Sequence, residues 1–265
     1  MRAPWSIQAL IAAIAVLVGA ACGNSIIDRS PKAVLFIGNS LTYVGNLPAV
    51  FDSVQLDGHS RTESDMLVAA GATLTERLRD GSAVKALSSK RYDVVVLQER
   101  GGDFACGFGQ EVCLNSRQSL GELAQLIRTH GALPILLGTY QRDKDAAAAI
   151  EAAESRAAAE SRIEYVPVAN LLTELRKRHP RMSWFASDGM HPGSDLTLME
   201  ALLLFRKVYG TRPRASAISV RAPIFALKAP PFEVRSASSV KGISAVPEGI
   251  DYDSHRVAVL LESIN

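Results

Sequence analysis

Three side chains have the types and spacing to do chemistry: Ser40, Asp188 and His191. A serine hydroxyl becomes a nucleophile when a base takes its proton, and the base needs a third group to orient it. Residues 34–42 (VLFIGNSLT) run four apolar residues into Gly38, Asn39 and Ser40. That reads as a buried strand stopping at a tight turn, where glycine permits the bend and Ser40 sits on the turn. Strand ends are where α/β proteins keep reactive groups. Residues 187–193 (SDGMHPG) put Asp188 three residues before His191. One turn brings that carboxylate to the imidazole, holds the proton on Nδ1 and leaves Nε2 for Ser40. Pro192 biases His191 toward an extended backbone, so the ring projects from its loop. Taken singly, each motif has an ordinary reading, a strand-end serine or a helix-entry turn. Taken together they point to catalysis by a serine nucleophile. His59, His130 and His179 fall at helix ends or turns, and His255 on a terminal helix.

The pattern around these residues alternates strand and helix. Strands are expected at 33–37, 64–68, 93–97, 133–137 and 163–168. The run DVVVL at 93–97 is apolar enough to be buried on both faces. A helix is expected at 47–56, with Asn46 as cap and Pro48 in its first turn. One or two short helices fill 74–87, broken near Asp80-Gly81. Further helices are expected at 120–130, ended by Gly131; at 143–160; at 169–178, stopped before Pro180; and at 196–209, capped by Ser194 or Asp195 and ended by Gly210. Strands separated by helices imply parallel pairing with right-handed crossovers. The expectation is a three-layer α/β/α domain over 33–265 with about five parallel strands. Residues 212–250 read as an irregular excursion. Residues 253–264 read as a closing helix that packs Val257, Leu260 and Leu261 on the domain.

The 265 residues suffice for one domain with a real core. A net charge of +2, from 29 basic and 27 acidic side chains, gives no electrostatic case for nucleic acid. The charges in RQSLGELAQLIRTHG read as the solvated face of a helix. Arg2 and the apolar run 10–21 form a targeting segment too short to span a bilayer comfortably. It ends in small residues and Cys22, which resembles a bacterial lipoprotein signal with Cys22 as the lipidated residue after a 1–21 leader. Gly19 stands where such signals usually carry Leu, and a soluble secreted or periplasmic protein is the rival reading. Residues 22–32 read as a tether. If Cys22 carries lipid, Cys106 and Cys113 remain as a pair, either a small disulfide loop, which an oxidising envelope permits, or two free thiols.

GNSLT at strand one, Gly71 in VAAGATL after strand two, and DGMHP near the C-terminus resemble the SGNH (GDSL-like) hydrolases. These are esterases and acetylhydrolases on a flavodoxin-like sheet. The resemblance covers residues 33 to about 209. It implies Ser40 as nucleophile, His191 as general base and Asp188 as its orienter. It also implies that the Gly71 N–H joins that of Ser40 in an oxyanion hole, with no metal or organic cofactor. Leu41-Thr42 after the serine breaks the G-x-S-x-G pattern of the α/β-hydrolases. The family's third block is altered. In place of an Asn-bearing G-x-N-D, strand three ends VVLQERGGD, as in branches with a Q-x-E-like stretch. Gln98 is then the expected third oxyanion donor, with packing beside the strand end as the alternative. Glu99 and Arg100 either pair with each other, contact substrate or form a solvated rim. Asn39 and Thr42 support the turn, and Tyr43 is either pocket wall or core.

The implied activity is an exported serine esterase that removes a short acyl group, acetyl above all, from a small-molecule or carbohydrate ester. It would work in the cell envelope, held to the membrane through Cys22. An O-acyltransferase would use the same triad. A non-catalytic envelope binding lipoprotein is the rival from another class. A phosphate-binding turn at GNSLT is disfavoured by D-x-x-H-P and by the lack of a glycine-rich loop.

Overall fold

The computed structural model describes residues 32–54, 62–225, 234–239 and 248–264. The 1–21 leader, Cys22, all of the tether but Lys32, and His59 lie outside the described residues. Among the described residues no helix is long and apolar enough to cross a membrane.

Five strands form the parallel part of the sheet: β1 (Ala33–Gly38), β2 (Glu63–Val68), β3 (Val94–Leu97), β4 (Leu133–Leu137) and β5 (Glu164–Val166). Between them run α1 (Ser40–Tyr43), α2 (Leu47–Ser53), α3 (Leu74–Arg79), α4 (Ser82–Ser89), α5 (Gln110–Thr129) and α6 (Lys144–Glu160). After β5 come α7 (Ala169–Arg178), α8 (Ser194–Tyr209), β6 (Ile218–Pro223), β7 (Arg235–Ser236), β8 (Glu248–Tyr252) and α9 (Ser254–Ser263). The sheet order is β5-β4-β3-β1-β2-β7, the expected parallel arrangement with an antiparallel sixth strand at its edge.

Alternation along the strands divides the core. Val34, Phe36, Val94 and Val96 face a layer with Phe51, Leu172, Leu202 and Leu260. Leu35, Ile37, Val95 and Leu97 face Leu74, Leu87, Leu123 and Ile127. The caps are local. Asn46 Oδ1 accepts from Ala49 N, Asp143 Oδ1 from Ala146 N and Asp253 Oδ1 from Arg256 N.

Three expectations are corrected. Residues 212–250 are not simply irregular. Buried Ile218, Val220 and Ala222 alternate with exposed Ser219 and Arg221 along β6, which pairs antiparallel with β8, while β7 joins β2. The helix expected at 120–130 begins ten residues earlier, at Gln110. Its added turns bury Cys113, Ser116 and Ser119, small or polar residues that leave no apolar period. At α8 the cap is Gly193, with Ser194 and Asp195 already helical. A Cβ on Gly193 would collide with the Ser183 carbonyl.

Gly38 closes β1 where a Cβ would strike Thr42 Oγ1. That hydroxyl donates to Gln98 Oε1 at 2.6 Å. To avoid the clash Thr42 must turn away and leave a buried amide oxygen unpaired. Gly38→Ala is therefore expected to cost about 1–3 kcal/mol in urea unfolding, the usual penalty for such a group. An unchanged midpoint would refute this packing argument.

Candidate active site

The site forms where the parallel strands end. Asn39, buried, caps α1 with Oδ1 accepting from Leu41 N at 3.0 Å. Its Nδ2 donates to Ala72 O at 3.2 Å and Gln98 O at 3.4 Å. One side chain thus ties together the segments following β1, β2 and β3 and sets Ser40 at the first position of the one-turn helix α1. Among the described residues, no hydrogen bond uses the N–H of Ser40 or Gly71. Both residues line one cavity of about 480 Å³. Gly71 has φ +65°, the left-handed conformation that glycine adopts without strain.

His191 lines the same cavity from the loop between α7 and α8. Ala186 N donates to His191 O at 2.9 Å and Gly193 N to Trp184 O at 3.0 Å, which close the loop into a hairpin-like turn. Asp188 Oδ1 accepts from Met190 N at 2.9 Å and His191 N at 3.0 Å, while Oδ2 meets His191 Nδ1 at 2.5 Å. The Met190 backbone bond, then the His191 side chain, lower the Asp188 carboxyl to about 2. An ionised Asp188 holds the proton on Nδ1 and directs Nε2 outward. Ser40 Oγ and His191 make no hydrogen bond to each other in this structure; such contacts often tighten only around substrate.

Gln98 does not reach the cavity. Position 98 continues the alternation of Val94 and Val96, toward the layer that holds α8. Its Oε1 accepts from Thr42, and its Nε2 donates to Gly138 O at 3.5 Å. On α8, full burial holds the Glu200 carboxyl well above its ordinary range. Gln98 is a brace under the turn rather than a third donor to an oxyanion. Tyr43 is core, edge-on to Phe225.

Glu99 and Arg100 do not pair through their side chains. Arg100 grips buried Asp103 through Nε and Nη2, both at 3.1 Å. The buried Glu99 carboxyl accepts from Leu74 N and Arg100 N. Desolvation, then the charge of Asp103, raise it to about 8. The sign follows directly. From about 4.5 to about 8 the folded protein keeps a proton that the unfolded chain has lost, so stability falls as pH rises through that window. Glu99→Gln has no proton to lose. Its melting temperature is expected to drop less between pH 5 and pH 8 than the wild type's, and equal drops would refute the assignment. This network anchors the loop that carries Phe108 to the cavity rim, where the ring lies 4.3 Å from the Arg100 guanidinium. The structure joins Cys106 to Cys113, pinning that loop to the first turn of α5.

Sequence reasoning missed the cavity walls Phe108, Tyr140, Arg142 and Phe185. The available signal was their position after β3 and β4 or beside the histidine loop.

The helix-flanked, mostly parallel sheet is the fold of solved SGNH hydrolases. A candidate SGNH hydrolase from Slackia heliotrinireducens is similar at TM-score 0.55 and 24% identity, over 67% of this chain and 99% of that one. A DUF4886 family protein from Bacteroides uniformis is similar at 0.54 and 15%, over 69% and 84%. TesA is similar at 0.51 and 19%, over 67% and 99%. No family model and no curated protein matches the sequence.

Proposed function

We propose that this protein is an exported serine esterase that hydrolyses a short acyl ester through Ser40, His191 and Asp188. One observation carries the reading: the Asp188–His191 pair and Ser40 line one cavity, beside two N–H groups with no hydrogen-bond partner among the described residues. Ser40 Oγ attacks the ester carbonyl carbon while His191 Nε2 takes its proton. The Ser40 and Gly71 N–H groups receive the oxyanion, and one such donor is worth about 10²–10³ in turnover. The tetrahedral species collapses, and the leaving alkoxide takes the proton from His191. Water then attacks the acyl-enzyme, passing its proton to the same histidine, which returns it to Ser40 as the acid departs.

Export is supported by the 1–21 segment and by the Cys106–Cys113 disulfide, a bond that oxidising compartments sustain. Membrane attachment through Cys22 is supported by the sequence around it. A fluorophosphonate probe tests the chemistry, because it phosphonylates an activated serine. Wild type is expected to label and to hydrolyse p-nitrophenyl acetate. Neither labelling nor hydrolysis would overturn the esterase.

A further inference from the structure

The charges around the cavity do not balance. Asp188 is the carboxylate that lines it among the described residues, and its oxygens are engaged by Met190, His191 and the imidazole. Arg100 is matched by Asp103. Arg142 also lines the cavity, and no carboxylate lies within ion-pair distance of it among the described residues. Its Nη1 lies 2.7 Å from where a Cβ on Gly189 would stand. The missing side chain at 189 thus leaves the guanidinium a seat against the loop that holds Asp188 and His191.

A second guanidinium raises the local charge. Arg176 Nη1 donates to Arg142 O at 2.9 Å, and the two guanidinium carbons lie 5.5 Å (Arg142) and 5.0 Å (Arg176) from the Phe185 ring centroid. Burial, then the charge of Arg142, lower the Arg176 pKa. A solvated arginine without a partner is ordinary on a protein surface. Here the unmatched charge is doubled, stacked on an aromatic wall and set beside the reacting groups. An anion placed there relieves the repulsion and meets a planar fork of donors.

We propose that Arg142 docks an anionic group of the ester substrate, a carboxylate or a phosphate, at the wall of the Ser40–His191 cavity. This assignment rests on the esterase reading and specifies its substrate class: an ester that carries a negative charge away from the scissile bond. Arg142 acts by binding and positioning that charge, and Arg176 reinforces the field.

The test measures kcat/KM of the full chain on 4-acetoxybenzoate, 4-acetoxyphenyl phosphate and mono-4-nitrophenyl succinate, each against its neutral methyl ester (for the phosphate, the dimethyl ester). Each value is divided by the ester's rate with hydroxide alone. The first and third place a carboxylate on the alcohol or the acyl side, and the second separates phosphate from carboxylate. Wild type is expected to prefer at least one anionic ester by about tenfold or more, the size of one charge-assisted contact. Arg142→Gln should lower that ratio about tenfold, and Arg142→Lys should keep part of it, because charge remains while the fork is lost. The preference should also shrink in about 1 M salt, where the Debye length is about 3 Å. Neutral esters hydrolysed with no anionic preference, or a preference that survives Arg142→Gln, would overturn the proposal and leave the esterase standing. Hydrolysis of no ester, with no fluorophosphonate labelling, would overturn both.

Discussion

Ser40→Ala is expected to lower p-nitrophenyl acetate turnover by about 10⁴-fold or more and to abolish fluorophosphonate labelling, since a nucleophile removed from a triad leaves only the binding contributions. The folded state should hardly notice. Ser40 Oγ makes no hydrogen bond among the described residues, and the helical turn it begins is held by Asn39, Thr42 and Tyr43. The unfolding midpoint should therefore stay within about 0.5 kcal/mol of wild type. That separation is the point of the measurement, because a large loss of both activity and stability would indicate a structural serine. A Ser40→Ala protein that still labels would move the nucleophile elsewhere. A labelled wild type that passes its acyl group to a sugar faster than to water would be an acyltransferase with the same residues.

Asp188→Asn is expected to lower turnover by about 10²- to 10⁴-fold with the loop intact. An asparagine Oδ1 can keep the bonds from Met190 N and His191 N that hold the turn. Its amide nitrogen, however, would donate where the carboxylate accepted. Nδ1 must then be the unprotonated nitrogen, Nε2 carries the hydrogen, and the atom facing Ser40 can no longer take a proton. The imidazolium formed during attack also loses its counter-charge. The Asp188 carboxyl is lowered from 3.8 to about 2, so its contribution to stability is complete above its ordinary value and fades as pH falls toward 2. At pH 7 the variant should thus lose activity through tautomer and charge. Turnover equal to wild type would remove Asp188 from the triad.

Much of this arrangement was legible because it is local. The Asp188–His191 bond spans three residues, and both backbone bonds that set it lie in the same turn. The strand, the glycine and the serine of residues 34–40 are contiguous. So are the caps at Asn46, Asp143 and Asp253, each reaching three residues along its own chain. The parallel pairing followed from alternation of strand and helix, which restricts the crossovers.

What escaped was non-local. Residue 98 looks like a strand-end donor until the layers are assembled. Its alternation with Val94 and Val96 then turns it under the site, onto Thr42. The first half of α5 buries Cys113, Ser116 and Ser119, and small polar residues become an inner face only when a neighbouring helix is there to meet them. β6 and β8 recognise each other across a long stretch of chain. Arg142 reads as any solvated charge after a strand until the loop bearing Gly189 comes beside its guanidinium at the cavity wall.

Sequence alone therefore determined the fold class and nominated Ser40, Asp188 and His191 as the candidate trio, because strand periodicity, caps and a three-residue turn are short-range properties of the chain. The tertiary structure decided which polar groups face the cavity and which brace it from beneath. That division depends on which layer each side chain enters, and burial then sets whether a carboxyl such as Glu99 is charged or neutral.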